Sequence, residues 1–256
     1  MKKPNIFLGK TVWIIGASEG IGRALAIALD NLGASLILSA RSEIRLIDLQ
    51  HELKQKSIVL PMDVAQITAM THLTQNLLRH QPIDHIFFFP AYYEPSHIRK
   101  LNPAVIDKTI DINFRAAVYF LSTILPYLEQ QPTTQLFFTS SLAGYIGLPA
   151  SQPYAATKAA MINLIESAKA ENPHLRIRLI NPGFVKTRLT DKNRFTMPGL
   201  LSPQQAAQAI IEGACDDRFD IYFPKKLALA LRFLRTIPYR WYFYIAKRYL
   251  QQDHAS

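Results

Sequence analysis

The chain has 256 residues, and 29 Lys and Arg against 19 Asp and Glu leave a formal charge of +10. That length supports one sizeable core, and ordinary apolar content with few glycines excludes a fibrous or disordered chain. The lone Cys215 excludes an internal disulfide and a cysteine-held zinc or iron–sulfur cluster.

In chain order, Met1-Lys2-Lys3 resembles the basic start of a signal peptide. Gly9-Lys10 breaks the apolar run that follows, which continues as Thr11-Val12-Trp13-Ile14-Ile15, a better β-strand. We expect no export, and a single cysteine agrees with a reducing cytoplasm. Short apolar runs predict strands at 11–16, 35–39, 57–60, 83–89, 134–140, 175–180 and 219–223. Helical patterns fall between them at 20–32, 43–54, 65–80, 103–128, 153–171 and 203–213. Such alternation predicts right-handed βαβ units and an α/β fold with a parallel sheet. Continuous apolar runs such as Ile86-Phe87-Phe88-Phe89 and Leu136-Phe137-Phe138 mark strands buried on both faces. Ser202 is a suitable cap and Pro203 a suitable first residue for the 203–213 helix. Cys215 is expected to be a small buried side chain at the end of that helix. We read one catalytic domain over 1–224 and an extension over 225–256.

The first predicted strand runs into Gly16-Ala17-Ser18-Glu19-Gly20-Ile21-Gly22 and then a helix. Glycines there let the chain turn tightly and bring backbone N–H groups to a pyrophosphate at the helix N-terminus. The second strand ends Ser39-Ala40-Arg41; an acid here would bond ribose hydroxyls, whereas Arg41, with Ser39, offers donors to a 2′-phosphate. Farther on, Ser141 lies thirteen residues before Tyr154, and Lys158 follows Tyr154 by four, on the same helical face. Carbonyl reduction needs a proton at oxygen, and Tyr154 is the candidate donor. A free phenol titrates near 10, and the positive charge of Lys158 is expected to lower that toward working pH. Ser141 would orient the substrate oxygen; Ser140 is its rival. Ser141 stands in no Gly-x-Ser-x-Gly elbow, and the seven histidines form no metal-ligand spacing.

In this order the motifs resemble the short-chain dehydrogenase/reductase family, over roughly residues 8 to 224. The resemblance implies a Rossmann-type doubly wound parallel sheet of about seven strands. It also implies an NAD(P)(H)-dependent oxidoreductase acting on a ketone or secondary alcohol, commonly as a homo-oligomer. By this resemblance Asp63, in Met62-Asp63-Val64, contacts the adenine, although alone it would more readily cap the 65–80 helix. Asn113 holds a water in a relay to Lys158, and Lys158 also binds the nicotinamide ribose. In Asn181-Pro182-Gly183-Phe184-Val185-Lys186-Thr187, the residues Pro182, Gly183, Val185 and Thr187 hold the nicotinamide amide. Ala40 stands where NAD-selective members carry an acid, which favours NADP(H) over NAD(H); Glu19 counts against it, because NADP-dependent relatives often carry a base there. The sequence departs from the family at Phe88-Phe89-Pro90-Ala91, where Asn-Asn-Ala-Gly is usual. Bracing by that asparagine must come from packing, and Pro90 and Ala91 still allow a close backbone approach to the cofactor. This departure keeps open a catalytically silent nucleotide sensor or membrane-associated scaffold.

Residues 188–201 correspond to the family's substrate lid. Phe195, Met197, Leu200 and Leu201 suit an apolar substrate, and Lys192 and Arg194 an acidic group. The last segment is distinct: residues 221–252 hold seven Lys or Arg and no acid, leaving 22 basic against 19 acidic residues elsewhere. Trp241-Tyr242-Phe243-Tyr244 cluster among those bases, and Arg and Pro238 interrupt the run too often for a membrane span. Two readings compete over residues 225–250: contact with a membrane surface, at the inner face of the membrane, and packing on a subunit. No nucleic-acid motif is present, and the expected partner is a small carbonyl or alcohol substrate.

Overall fold

The computed structural model describes residues 4–193 and 195–253; Met1-Lys2-Lys3, Arg194 and His254 lie outside them. Seven strands form one sheet: β1 (Thr11–Ile15), β2 (Ser35–Ser39), β3 (Ser57–Val59), β4 (His85–Phe88), β5 (Gln135–Thr139), β6 (Arg176–Pro182) and β7 (Asp220–Phe223). All pairings are parallel, in the order β3-β2-β1-β4-β5-β6-β7. This is the doubly wound α/β arrangement the alternation predicts. The order reverses between β1 and β4, and a crevice opens beyond the carboxyl ends of those strands.

Helices α1 (Gly20–Asn31), α2 (Glu43–Glu52), α3 (Ile67–His80), α4 (Pro103–Ile110), α5 (Ala116–Gln130), α6 (Tyr154–Glu171) and α7 (Pro203–Ala214) cover both faces. Leu25 and Leu29 of α1, Leu46 of α2 and Ile210 of α7 meet one face of the sheet in a single buried cluster. Met70 of α3, Phe120 of α5 and Ile165 of α6 meet the other. Burial of this kind contributes about 1.5–3 kcal/mol for each large apolar side chain. The Ser202 hydroxyl accepts from the Gln205 N–H at 3.1 Å, and the Gln205 side chain returns the bond to Ser202 N, a full capping box on α7.

Three local expectations are corrected. The predicted 103–128 helix is interrupted by a π turn at Asp111–Arg115, where Asn113 enters the interior. Strand β4 begins at His85 because the Asp84 carboxylate already accepts the Thr11 N–H at 2.9 Å and pairs with Lys10 at 2.8 Å. Cys215 ends α7 as expected but is only half-buried, above the Pro4 carbonyl. After β7 come α8 (Lys225–Thr236) and α9 (Tyr239–Asp253). Ala228 and Leu231 of α8 pack on Leu142 and Ile146, beside the crevice.

Candidate active site

A cleft of about 1410 Å³ opens over the strand ends. Its floor begins with the glycine turn. Gly16 takes φ +93°, a region costly to other residues, and a Cβ on Gly22 would stand 2.2 Å from the Gly16 carbonyl oxygen. Glu19 at the start of α1 makes no side-chain cap, so that cap leaves the helix's first N–H groups to the cleft. The Thr139 hydroxyl, buried against the cleft, has no hydrogen-bond partner among the described residues. A close-approach turn, an uncapped helix N-terminus and a spare buried hydroxyl together fit a dinucleotide. Ser18, Gly20, Ile21, Arg41, Asp63, Val64, Pro90, Ala91, Pro182, Gly183, Val185 and Thr187, all predicted from sequence, also line the cleft.

One predicted contributor, Ser39, is placed differently, and Asp63 also caps. Ser39 is fully buried beneath the sheet end, where its hydroxyl accepts from Trp13 Nε1 at 2.9 Å, so it offers nothing to a phosphate. Asp63 caps the turn, accepting from the Ala65 N–H at 3.0 Å, and α3 begins only after Gln66. Glu19, read as an obstacle to a phosphate, is bridged by Arg45 and Arg188, each at 3.0 Å. Two guanidinium groups thus balance its charge, and Arg45, on the first turn of α2, joins Arg41 at the end of β2. Arg45 was missed because its relation to Glu19 spans 26 residues and follows no motif.

Ser141, Tyr154 and Lys158 converge in the same cleft. The rival Ser140 is engaged elsewhere: its hydroxyl donates to the Lys158 carbonyl at 2.7 Å. The Ser141 hydroxyl accepts from the Ala143 N–H at 3.1 Å and donates to the Pro182 carbonyl at 3.3 Å, and its polar influence on Tyr154 lowers the phenol pKa. Burial is the larger influence and raises it, Tyr93 adds to the rise, and the phenol is pushed up to about 12. The expected lowering by Lys158 is absent. Its Nζ donates to the Thr139 carbonyl at 2.9 Å and lies 5.6 Å from the Tyr154 ring centre. Burial lowers the Lys158 pKa to about 7, so its charge is weakly held. Tyr154 is therefore a neutral phenol at working pH, a form with a proton to give.

A lysine depressed on folding costs stability while charged. That cost is complete below about 7 and disappears as the pH rises toward the ordinary 10.5. Lys158→Met is expected to raise the Tm of the cofactor-free protein near neutral pH, by roughly 2–4 °C for each kcal/mol relieved. The gain should shrink as the pH approaches 10.5. Calorimetry across that range checks this, and a lower Tm at neutral pH would show that the bond to Thr139 outweighs the burial cost.

Asn113 is wholly buried and does not reach the cleft. Its Oδ1 accepts from the Tyr92 N–H at 2.6 Å, and its Nδ2 donates to the Tyr92 carbonyl at 2.9 Å and to Thr157 Oγ1 at 3.2 Å. It ties the segment after β4 to α6, and the π turn supplies its position. The rest of the bracing is aromatic, as the departure after β4 requires: Phe89 stacks on Phe87 at 6.1 Å, and Phe87 on Phe137 at 4.5 Å.

Sequence reasoning also missed Tyr93. Its ring meets Tyr154 edge to face at 4.9 Å, and its hydroxyl donates to Asn193 Oδ1 at 2.7 Å. Lys192, expected to meet an acidic substrate group, is held by the Tyr93 carbonyl at 2.9 Å and by Glu94. The lid is thus clasped to the segment after β4. Phe195 lines the cleft, whereas Met197 accepts from Asn193 and Leu201 bridges to Val185.

The profile of the short chain dehydrogenase family matches residues 10–197. The chain belongs to the short-chain dehydrogenase family. Among its relatives, an uncharacterized oxidoreductase of Myxococcus xanthus is 28% identical, with 90% of this chain and 93% of that protein aligned. A dehydrogenase/reductase SDR family protein 7-like of Drosophila melanogaster is 26% identical over 98% of this chain and 84% of its own. An alcohol dehydrogenase from Thermococcus sibiricus, complexed with 5-hydroxy-NADP, superposes with a TM-score of 0.74 at 26% identity, covering 84% of this chain and 95% of its own. A short-chain dehydrogenase/reductase from Burkholderia phymatum, in complex with NAD, superposes at 0.78 with 20% identity over 91% of this chain and 94% of its own. A short-chain dehydrogenase is an oxidoreductase, and the two solved neighbours hold an NADP derivative and NAD.

Proposed function

We propose that the chain is an NADPH-preferring reductase of apolar ketones, or in reverse a dehydrogenase of the matching secondary alcohols. The observation that carries this reading is the convergence of Ser141, Tyr154 and Lys158 in a cleft whose outer wall is apolar. Leu227, Leu231 and Leu234 of α8, with Phe195 of the lid, supply that wall. A reduced nicotinamide, when bound, supplies hydride to the carbonyl carbon. Tyr154 gives its proton to the carbonyl oxygen, and the Ser141 hydroxyl turns its one hydrogen from the Pro182 carbonyl to that oxygen and orients it. Lys158, with a pKa of about 7, holds or releases a proton close by at working pH. Asn113 positions α6 from behind. The glycine turn and the start of α1 hold the pyrophosphate, and Pro182 to Thr187 the nicotinamide end.

Arg41 and Arg45 at the end of β2 support the preference for a 2′-phosphate, which falls there in this topology. NADPH and NADH titrated separately by fluorescence test it. Arg41→Ala and Arg45→Ala are each expected to weaken NADPH about tenfold and to leave NADH unchanged. Tighter NADH binding by the unaltered protein would refute the phosphate assignment and leave the proton donor in place. The reading carries with it a cytoplasmic setting and a homo-oligomer, the latter by family habit.

A further inference from the structure

The two C-terminal helices have an inner and an outer aspect. The inner aspect closes the cleft, through Leu227, Leu231 and Leu234 of α8 and Tyr242, Ile245 and Ala246 of α9. Arg232 anchors α8 by pairing with Asp220, its guanidinium over the Tyr222 ring at 4.2 Å, and the Tyr242 hydroxyl donates to the Gly147 carbonyl. Several other side chains between Tyr239 and Lys247 of α9 are exposed to solvent. Phe233 is 68% exposed, Tyr239 66%, Phe243 62% and Trp241 61%, with Leu229, Tyr244 and Ile245 beside them. Tyr239 and Phe243 stack on one another at 5.8 Å, and Phe243 also meets the Tyr242 ring at 5.2 Å. Aromatic groups exposed together in this way mark an interaction surface.

Over residues 221–252 the charge has one sign. Lys225, Lys226, Arg235, Arg240 and Lys247 are all exposed there, and the sequence from 221 to 252 contains no acid. Among the described residues no helix is long and apolar enough to cross a membrane. A basic rim around aromatic and aliphatic side chains complements an anionic bilayer surface: bases meet headgroups, and rings enter the interface. Leu229 and Ile245 favour lipid over nucleic acid, since aliphatic side chains have nothing to stack on or bond in a phosphate backbone. Ile245 is both exposed on this surface and part of the cleft wall, so the surface runs into the cleft mouth.

We propose that α8 and α9 dock the protein on an anionic bilayer surface, with the mouth of the cleft turned toward it. An apolar substrate then passes from lipid into the cleft along Ile245 and Leu234. This last step rests on the reductase reading; the docking does not.

Trp241 provides the measurement, because the other tryptophan, Trp13, is wholly buried. The full chain, without cofactor, is mixed with vesicles of phosphatidylcholine alone and of phosphatidylcholine with phosphatidylglycerol. Co-sedimentation and a blue shift of Trp241 emission are expected with the second kind only, weakening as salt is raised. The double variant Phe233→Ser, Tyr239→Ser changes two exposed side chains outside the cleft lining and the core, and should lose about tenfold or more in vesicle affinity while binding NADPH unchanged. No sedimentation with phosphatidylglycerol vesicles overturns the docking. So does a stable oligomer in which Trp241 is shielded from a soluble quencher, which would assign the surface to a second copy. Vesicle binding by a protein that reduces no ketone would leave the docking standing and refute only the delivery step.

Discussion

Replacing Tyr154 with Phe is expected to lower ketone reduction by about 10²- to 10⁴-fold, the usual contribution of a positioned general acid. The change removes one oxygen atom and keeps the ring, so the edge-to-face contact with Tyr93 at 4.9 Å survives. NADPH binding and Tm should therefore stay close to those of the unaltered protein. The check is NADPH oxidation over a panel of apolar ketones, with titration of NADPH as the control. A variant that keeps full turnover would place the proton donor elsewhere in the cleft. A chain that reduces nothing before or after the change, yet binds NADPH, would instead be the silent nucleotide-binding scaffold. The pH profile gives a second view of the same group. A phenol held at about 12 keeps its proton throughout the neutral range, so a decline in reduction near pH 7 would report Lys158 and not Tyr154.

The largest loss of stability away from the cleft is expected at Arg178, a guanidinium buried inside β6. It donates to the Gly213 carbonyl at 2.7 Å, to Ala214 at 3.1 Å, to Arg218 at 2.8 Å and to Gln135 Oε1 at 3.1 Å. The first two are end carbonyls of α7, where the helix carries partial negative charge. Arg178 thus ties the C-terminus of α7 to the sheet and stacks over Phe137 at 5.1 Å. Arg178→Ala leaves those carbonyls without their donor and opens a cavity, while Asp216 keeps its pairing with Arg218. A loss of about 3–5 kcal/mol follows, the range for breaking a buried charged contact. For a chain of this size that is on the order of 10 °C in Tm. Urea unfolding measures it directly. Arg178→Lys should recover only part, because one ammonium cannot fan out to four acceptors. A loss below about 1 kcal/mol would mean that water replaces the guanidinium at little cost.

The motif-bearing parts of the site were legible because each depends on local spacing. Gly16, Gly20 and Gly22 fix a turn and a helix start within seven residues, and Tyr154 and Lys158 share a helical face by their separation alone. The seven strands were equally legible, since apolar runs buried on two faces need no partner to be recognised. The misplaced residues depend on distant neighbours. Ser39 looked available until Trp13 was seen to hold its hydroxyl, and Glu19 looked repulsive until Arg45 and Arg188 were seen to bridge it. The electrostatics of Lys158 differ for a related reason: its spacing predicts a full charge beside Tyr154, whereas burial lowers its pKa to about 7 and leaves that charge only partly held at neutral pH.

By itself the sequence determined the order of strands and helices, the nucleotide turn and the Ser141, Tyr154 and Lys158 set. Each of these is encoded in periodicity or in separations of a few residues. Only the tertiary structure decided which hydroxyl faces the cleft, how Tyr93 meets Tyr154, and where the basic C-terminal helices lie. Those outcomes are contacts between segments up to about a hundred residues apart, such as Tyr93 with Asn193. Burial, hydrogen-bond competition and desolvation settle such contacts only once the chain has closed on itself.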